Sequence, residues 1–315
     1  MVHARGRLFG VSVMVVSVLL FVTMNSLTKY CRFPPEQKVF VRMLVGVFIV
    51  AACVRVGFAK MEFNNIGLLA LRGVLGAVSV MLYFYSIDHI PLGRAVFFQF
   101  TYPAWGALFS YVFLKENLGW QRAPALVATF AGAFLILVSG GATFGAIGSG
   151  DVAGILCGLV SGAAVTTIRA CHRYDSTYMI FLFFAAFGAM LGAAATLAGG
   201  TYVAPTVSGW VVLTAIGVFG TAAQLFFTAG YRYLDVPSAG AMAMFQAPLS
   251  AVAGWLFFKE PMAGSAAVGA VLVLSGGVYL AMTSKGETLG APQPPGNAAT
   301  ARTSGPADRP GEKRK

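Results

Sequence analysis

The feature that most constrains this chain is a series of ten apolar runs, separated by short polar or proline-containing segments. At about 1.5 Å of rise per helical residue, each run can cross the roughly 30 Å hydrocarbon core of a bilayer. We therefore predict ten membrane-spanning helices over residues 8–28, 38–57, 67–87, 92–114, 122–141, 151–170, 177–198, 208–230, 237–258 and 262–283.

The composition excludes a soluble protein. Hydrophobic residues make up 57% of the chain and charged residues 10%, whereas soluble domains carry about 25% charged residues. The first run follows Arg5 and Arg7 as a signal peptide would, but it is too long and lacks a small-residue cleavage site. We therefore predict an all-α integral membrane protein that is embedded in the lipid bilayer.

The net charge of +11 lies mainly in the loops. The cations are spread between the apolar runs instead of lining one face, so we predict no nucleic-acid partner. Loops rich in Lys and Arg stay in the cytoplasm, which favours both termini inside, in the plasma membrane (the inner membrane of a bacterium). This orientation places ten loop cations inside and five outside: Arg5, Arg7, Arg55, Lys60, Lys115, Arg122, Arg169, Arg173, Arg232 and Lys285 against Lys29, Arg32, Lys38, Arg94 and Lys259.

Motifs for catalysis, metal binding or cofactor binding do not occur in the sequence. The four cysteines lack paired spacing and the three histidines are scattered, so we expect no metal site and no cofactor. There is also no catalytic triad, no paired carboxylate motif and no P-loop. We therefore expect neither an enzyme nor an ATP-driven pump.

The chain repeats itself at an offset of 144 residues. Each half then holds five helices, and an odd number places the two copies in opposite orientation, the plan of many secondary transporters. The predicted parts are repeat 1 over residues 1–145, repeat 2 over 146–284 and a disordered basic tail over 285–315. The matched positions include Gly76 with Gly220, Lys115-Glu116 with Lys259-Glu260, Gly132 with Gly276 and, with one residue of slip, Pro103 with Pro248.

The two halves resemble the EamA-type repeat of the drug/metabolite transporter superfamily. The first half carries Pro91-Leu-Gly-Arg-Ala95, Tyr102-Pro103, Lys115-Glu116 and Gly132, and the second carries Pro237-Ser-Ala-Gly-Ala241, Ala247-Pro248, Lys259-Glu260 and Gly276-Gly277. Three segments, Glu36 to Arg42, Leu71-Arg72-Gly73 and Glu116 to Arg122, are similar to the branch that contains S-adenosylmethionine uptake carriers.

The resemblance implies a secondary transporter that moves a small polar metabolite by alternating access. The solute would be amino-acid-like or otherwise anionic or zwitterionic. Two alternatives are kept, an S-adenosylmethionine-like uptake or exchange carrier and a non-transporting membrane scaffold. The substrate, the direction of transport, the coupling ion and formation of a homodimer are left open.

Arg42 and Arg72 are the charged residues that lie well inside predicted spans, and all eleven acidic residues lie in loops, at helix ends or in the tail. Charges within the membrane often mark substrate pathways, so the two arginines are candidates for neutralising an anionic group of a solute. The alternative is that each side chain reaches back to the nearer interface or pairs with a carboxylate such as Glu36. No acid lies where it would attract a bare cation or relay protons.

Uncharged polar side chains inside spans are the other candidates for the substrate path, because a polar group in hydrocarbon must find a partner. In two spans Pro103 and Pro248 follow a glutamine, and each proline interrupts helical hydrogen bonding, as is typical near a transporter's binding site. The alternative is that these groups hold neighbouring helices together. The candidates are Tyr83, Gln99, Tyr102, Gln224 and Gln246.

Glu116 and Glu260 end the fourth helix of each half, each beside a lysine. Their position makes them, with Pro103 and Pro248, candidates for a role at a gate or helix end. The alternative is a solvated ion pair at each helix end, which would stabilise the fold by under about 1 kcal/mol.

Overall fold

A computed structural model of the chain describes residues 2–90, 98–115, 120–139, 148–258 and 264–283, and within these ranges no strand occurs. A π-helical turn, Ser110–Leu114, extends α4. The helices are α1 (Val2–Tyr30), α2 (Pro35–Arg55), α3 (Ile66–His89), α4 (Tyr102–Phe109), α5 (Ala123–Ser139), α6 (Ser149–Cys171), α7 (Thr177–Gly199), α8 (Val207–Tyr233), α9 (Val236–Ala243), α10 (Gln246–Phe258) and α11 (Gly264–Met282).

Six of these helices, α1, α2, α3, α6, α7 and α8, are long and apolar enough to cross a membrane. Their lengths follow from uninterrupted apolar sequence between strong start and stop signals. Asn65 begins α3 by accepting a hydrogen bond from the Leu68 N–H, and Gly200 ends α7 in the left-handed conformation at φ +60°. The predicted all-α class is therefore confirmed for the described residues.

Eight of the helical segments follow one another around a closed ring. The order of packing is α1, α8, α2, α7, α3, α6, α4 and α9, and α9 with α10 returns to α1. Helices α5 and α11 pack on each other beside this ring. Their contact is close because a Cβ atom on Gly132 would lie 2.5 Å from the carbonyl oxygen of Gly269, the small-residue packing common in membrane bundles.

The start of α1 and the end of α11 lie at the same end of the molecule, because Arg7 Nη1 donates a hydrogen bond to the Met282 carbonyl. Helix α1 runs antiparallel to α8: Gly10 packs against Tyr233 and Gly230 packs against Met14. We call this end of the ring, which holds the start of α1 and the ends of α6, α8 and α11, the N-terminal face.

Two side chains, one in the last turn of α6 and one directly after it, cross the ring at the N-terminal face. Arg169 Nη1 donates to the Tyr231 carbonyl at 2.9 Å, and His172 Nε2 lies 2.8 Å from the Thr228 carbonyl. Since a carbonyl only accepts, the hydrogen of the His172 ring is on Nε2. Helices α6 and α8 are not neighbours in the ring, so these hydrogen bonds, which we call the latch, close it at this face.

The fourth and ninth predicted spans are divided, as the two prolines indicate. A turn at Phe100 and Thr101 precedes α4, and a turn at Met244 and Phe245 separates α9 from α10. Pro103 and Pro248 follow these turns within three residues, and neither has the N–H that would continue the helical hydrogen bonds. The predicted single spans 92–114 and 237–258 are thus corrected to broken ones.

Hydrogen bonds between loops join distant parts of the chain at both ends. Between α6 and α7, the Asp175 carboxylate accepts from the N–H groups of Asn64 at 2.9 Å and Asn65 at 3.2 Å. Burial raises the pKa of Asp175, and these two hydrogen bonds oppose the rise. At the other end, Gln37 Nε2 donates to the Val203 carbonyl at 2.7 Å and Gln37 Oε1 accepts from the Val203 N–H at 3.0 Å.

Candidate functional site

Arg72 is almost fully buried, with 4% of its surface exposed. Its Cζ atom lies 4.4 Å from the centroid of the Phe184 ring. The Nε and Nη1 atoms are buried and have no hydrogen-bond partner among the described residues. Burying a guanidinium without a paired anion costs free energy, which makes Arg72 a candidate for binding an anion.

The Arg72 side chain points into the span. A Cβ atom placed on Gly76 would collide with Arg72 Nη1, and Gly76 lies one turn further than Arg72 from the helix start at Ile66. Side chains in helices usually tilt toward the helix start, and one reaching for the nearer interface would also run that way. The Arg72 guanidinium is directed the opposite way.

Arg42 has the same direction. Helices α2 and α8 run side by side, with Val45 packed on Gly217. Arg42 precedes Val45 by one turn, yet its Nε atom lies 2.7 Å from the position of a Cβ atom on Gly220, beyond Gly217. The half-buried side chain therefore extends away from the helix start at Pro35. Gly76 and Gly220, which make room for the two guanidinium groups, occupy equivalent positions in the repeat.

No salt bridge joins either arginine to Glu36 in the described part of the chain, and one Glu36 carboxylate oxygen is buried without a hydrogen bond. The same residues contain no group of three or more His, Cys, Asp or Glu side chains that could hold a metal ion. Among the described residues, Arg42 and Arg72 are the charged side chains that lie more than one turn inside a membrane-spanning helix, whereas Asp151, Arg169, Asp175 and Asp235 lie at or beyond helix ends.

One face of α8 carries a line of buried polar side chains, spaced three or four residues apart as on a single helix face. They are Thr221, Gln224, Thr228 and Tyr231. The hydroxyl groups of Thr221, Thr228 and Tyr231 have no hydrogen-bond partner within the described residues. The line starts beside Gly220, where the Arg42 guanidinium lies.

Tyr102 joins the other end of this line. It is 8% exposed and is the first residue of α4, directly after the break in the fourth span. Its hydroxyl adjoins that of Tyr231, and Tyr231 lies within electrostatic range of Arg72. The structure therefore brings Arg72 and Tyr102 together through Tyr231, a residue that the sequence analysis did not select.

The remaining sequence candidates lie on other helices or outside the described residues. Pro248 is buried in α10, and Pro103 packs against Gly240, where a Cβ atom would lie 2.7 Å from Pro103 Cβ. Glu116, Glu260 and the tail over 285–315 are outside the described residues. The half-buried candidates are Tyr83, Gln99 and Gln246.

A ring of helices, six of which are long and apolar enough to cross a membrane, defines the class of multi-pass membrane proteins. The EamA-like transporter family matches the chain twice, over residues 5–138 and 148–282. The chain therefore belongs to the EamA-like transporter family and is a multi-pass membrane protein that transports small molecules. The resemblance to the drug/metabolite transporter superfamily is confirmed.

Similar proteins carry different solutes. The chain is 28% identical over 280 residues to the pseudopaline exporter CntI of Pseudomonas aeruginosa, covering 88% of this chain and 97% of the relative. It is 26% identical over 245 residues to a riboflavin transporter of Brucella anthropi, covering 76% and 85%. An S-adenosylmethionine uptake transporter of Rickettsia bellii is 20% identical over 215 residues, covering 68% and 72%.

The fold is also similar to a crystal structure of 20% identity. The TM-score is 0.73, and the match covers 88% of this chain and 98% of the other. At that identity the likeness describes the arrangement of helices alone.

Proposed function

We propose that this chain is a secondary transporter of a small anionic or zwitterionic metabolite, working by alternating access between two inverted five-helix repeats. The observation that carries the proposal is the pair of arginines, Arg42 and Arg72, whose guanidinium groups point into the bundle with no carboxylate paired to them within the described residues. Cations inside the membrane attract a carboxylate or phosphate and repel a bare cation.

The order of helices in the ring supports two equivalent repeats over 1–145 and 146–284. Exchanging the halves at the 144-residue offset turns α1–α8 packing into α6–α3 packing and α2–α8 into α7–α3, and all four pairs are present. The pairs α2–α7 and α5–α11 map onto themselves. The set of packed helix pairs is therefore unchanged when the halves are exchanged. This is expected of ten helices related by a pseudo-two-fold axis.

Alternating access is favoured by a difference between the two ends. At the N-terminal face, α6 and α8 are joined across the ring by the latch residues Arg169 and His172. The equivalent helices of the other half are α1 and α3, and these are not a packed pair within the described residues. A ring whose helices are hydrogen-bonded across one end, but not packed in the same way across the other, corresponds to one state of a two-state transporter.

The cation bias of the loops places the N-terminal face, with both termini, in the cytoplasm of a bacterial inner membrane. The latch would then close the cytoplasmic side, and the solute would enter the described state from outside. Of the sequence candidates, Tyr83, Gln99, Gln224 and Gln246 are assigned to the path between the repeats, while Glu116 and Glu260 keep the proposed role at helix ends.

The relatives transport different solutes, so the charge of the site narrows the choice more than the family does. The test is solute exchange in proteoliposomes containing the full chain, with labelled glutamate, citrate, riboflavin, S-adenosylmethionine and ethidium. Exchange of an anion or zwitterion, absent from empty liposomes, is the expected result. Exchange of S-adenosylmethionine alone would favour the alternative carrier, and a folded protein with no flux of any solute would favour a scaffold.

A further inference from the structure

We propose that Arg72, Tyr231 and Tyr102 form a carboxylate-binding subsite whose occupancy controls the latch, with Thr228 contributing one turn away on α8. The inference rests on the proposed function and deepens it, because it assigns a solute group to Arg72 and Tyr102 and adds Tyr231 and Thr228, with a role in gating.

The evidence for a subsite is a set of buried hydrogen-bond donors without acceptors. Within the described residues, Arg72 Nε, Arg72 Nη1 and the hydroxyl groups of Tyr231 and Thr228 have no partner. Tyr231 is 0% exposed and Thr228 is 1% exposed, so water does not replace the missing acceptors at the surface. Buried polar groups are nearly always paired, so these unpaired donors indicate a missing acceptor.

The donor chemistry selects a carboxylate. A guanidinium presents N–H groups in a planar fork that matches the two oxygens of a carboxylate. Phe184 covers one face of the Arg72 guanidinium, which leaves the N–H edges of the group for an anion. The nearby acid, Asp175, is already occupied by the N–H groups of Asn64 and Asn65.

The subsite and the latch share two residues of α8. Tyr231 offers its hydroxyl to the subsite while its carbonyl accepts from Arg169. Thr228 offers its hydroxyl in the same way while its carbonyl is bonded to His172. An anion held by these side chains therefore fixes the segment of α8 whose carbonyl groups accept the latch hydrogen bonds. Binding of the anion then favours the closed N-terminal face.

Cys171 reports on both the subsite and the latch, because it lies within electrostatic range of Arg72, precedes His172 and is 0% exposed in the closed ring. The experiment uses the full chain with Cys31, Cys53 and Cys157 replaced by alanine, leaving Cys171 as its one thiol. The rate of alkylation by N-ethylmaleimide is followed by mass spectrometry while acetate replaces chloride at constant ionic strength. Acetate is the probe because it contains the carboxylate and little else.

Acetate should slow the alkylation of Cys171 at least threefold, and acetamide should have no effect. Tyr231→Phe keeps the ring and removes one donor, so it should require about tenfold more acetate, a loss of the size expected for a hydrogen bond to a charged group. Arg72→Met should abolish the protection and Arg72→Lys should retain part of it. The exposed controls Arg55→Met and Tyr30→Phe should behave as the parent protein.

Equal protection by acetate in the parent, Tyr231→Phe and Arg72→Met, or none in the parent, would overturn the subsite. That failure is distinguishable from failure of the proposed function. If the subsite is wrong but the function is right, exchange of an anionic solute persists in Tyr231→Phe and is still lost on replacing Arg42. If the function is wrong, the parent protein exchanges no solute at all.

Discussion

The Cζ atom of Arg72 on α3 lies 4.4 Å from the centroid of the Phe184 ring on α7. A desolvated cation–π contact contributes about 2 kcal/mol, which is less than the several kcal/mol lost when a guanidinium leaves water. The aromatic face therefore offsets only part of the cost of burying this charge. An anionic group bound to Arg72 would offset the rest of this free-energy cost.

Replacing Arg72 with methionine should raise the KM for an anionic solute at least tenfold, because the variant removes the charge and keeps most of the apolar stem. Initial rates of uptake into proteoliposomes, measured against solute concentration, give the KM. Arg55→Met is the matched control, since it removes an exposed cation at the end of α2. An unchanged KM in the Arg72 variant would show that this side chain does not contact the solute.

Gly220→Ala should weaken solute binding severalfold without unfolding the protein. The new Cβ atom would lie 2.7 Å from Arg42 Nε and 2.8 Å from Met24 Sδ, and both belong to flexible side chains that can move. The displaced Arg42 guanidinium would then sit away from the α8 polar line. Gly264→Ala is the control, because no atom lies within 4 Å of its Cβ position. Equal KM values for the two variants would contradict this placement of Arg42.

The six long apolar helices could be predicted from sequence because apolar length acts locally. The link between Tyr102 and Tyr231 could not, because it depends on packing between residues of different halves. The spacing of Thr221, Gln224, Thr228 and Tyr231 was a signal available in the sequence, yet hydroxyl groups in helices often bond their own backbone and do not stand out. The inward direction of Arg42 and Arg72 required the positions of Gly76 and Gly220 on neighbouring turns and helices.

The latch should make the protein sensitive to acid. Burial lowers the pKa of His172, just beyond the end of α6, to about 4, whereas the unfolded side chain titrates near 6.5. Between these values the unfolded state binds a proton that the folded state does not, so stability should fall as pH drops from about 6.5 to 4. Thermal melts of the parent and His172→Gln measure this; the variant should show a shallower loss, and parallel curves would exclude His172 as the cause.

Asp175→Asn should destabilise the N-terminal face. The amide keeps one acceptor oxygen in place of two, so the Asn64 and Asn65 N–H groups can no longer both bond to a carboxylate. Loss of a hydrogen bond to a charged group costs about 1.5–3 kcal/mol, which should appear as a lower Tm and faster alkylation of Cys171. Glu62→Gln, an exposed change in the loop before α3, is the control. The same Tm and alkylation rate in both variants would contradict a structural role for Asp175.

The central claim is that two inward-pointing arginines set the charge of the transported solute. It is tested most directly by comparing the parent protein with the Arg42→Met, Arg72→Met double variant for exchange of labelled carboxylates and zwitterions, and for efflux of ethidium driven by a pH gradient. The account predicts exchange of at least one carboxylate or zwitterion by the parent, a loss of at least tenfold in the double variant, and no ethidium efflux by either. Strong ethidium efflux that is unchanged in the double variant would contradict it.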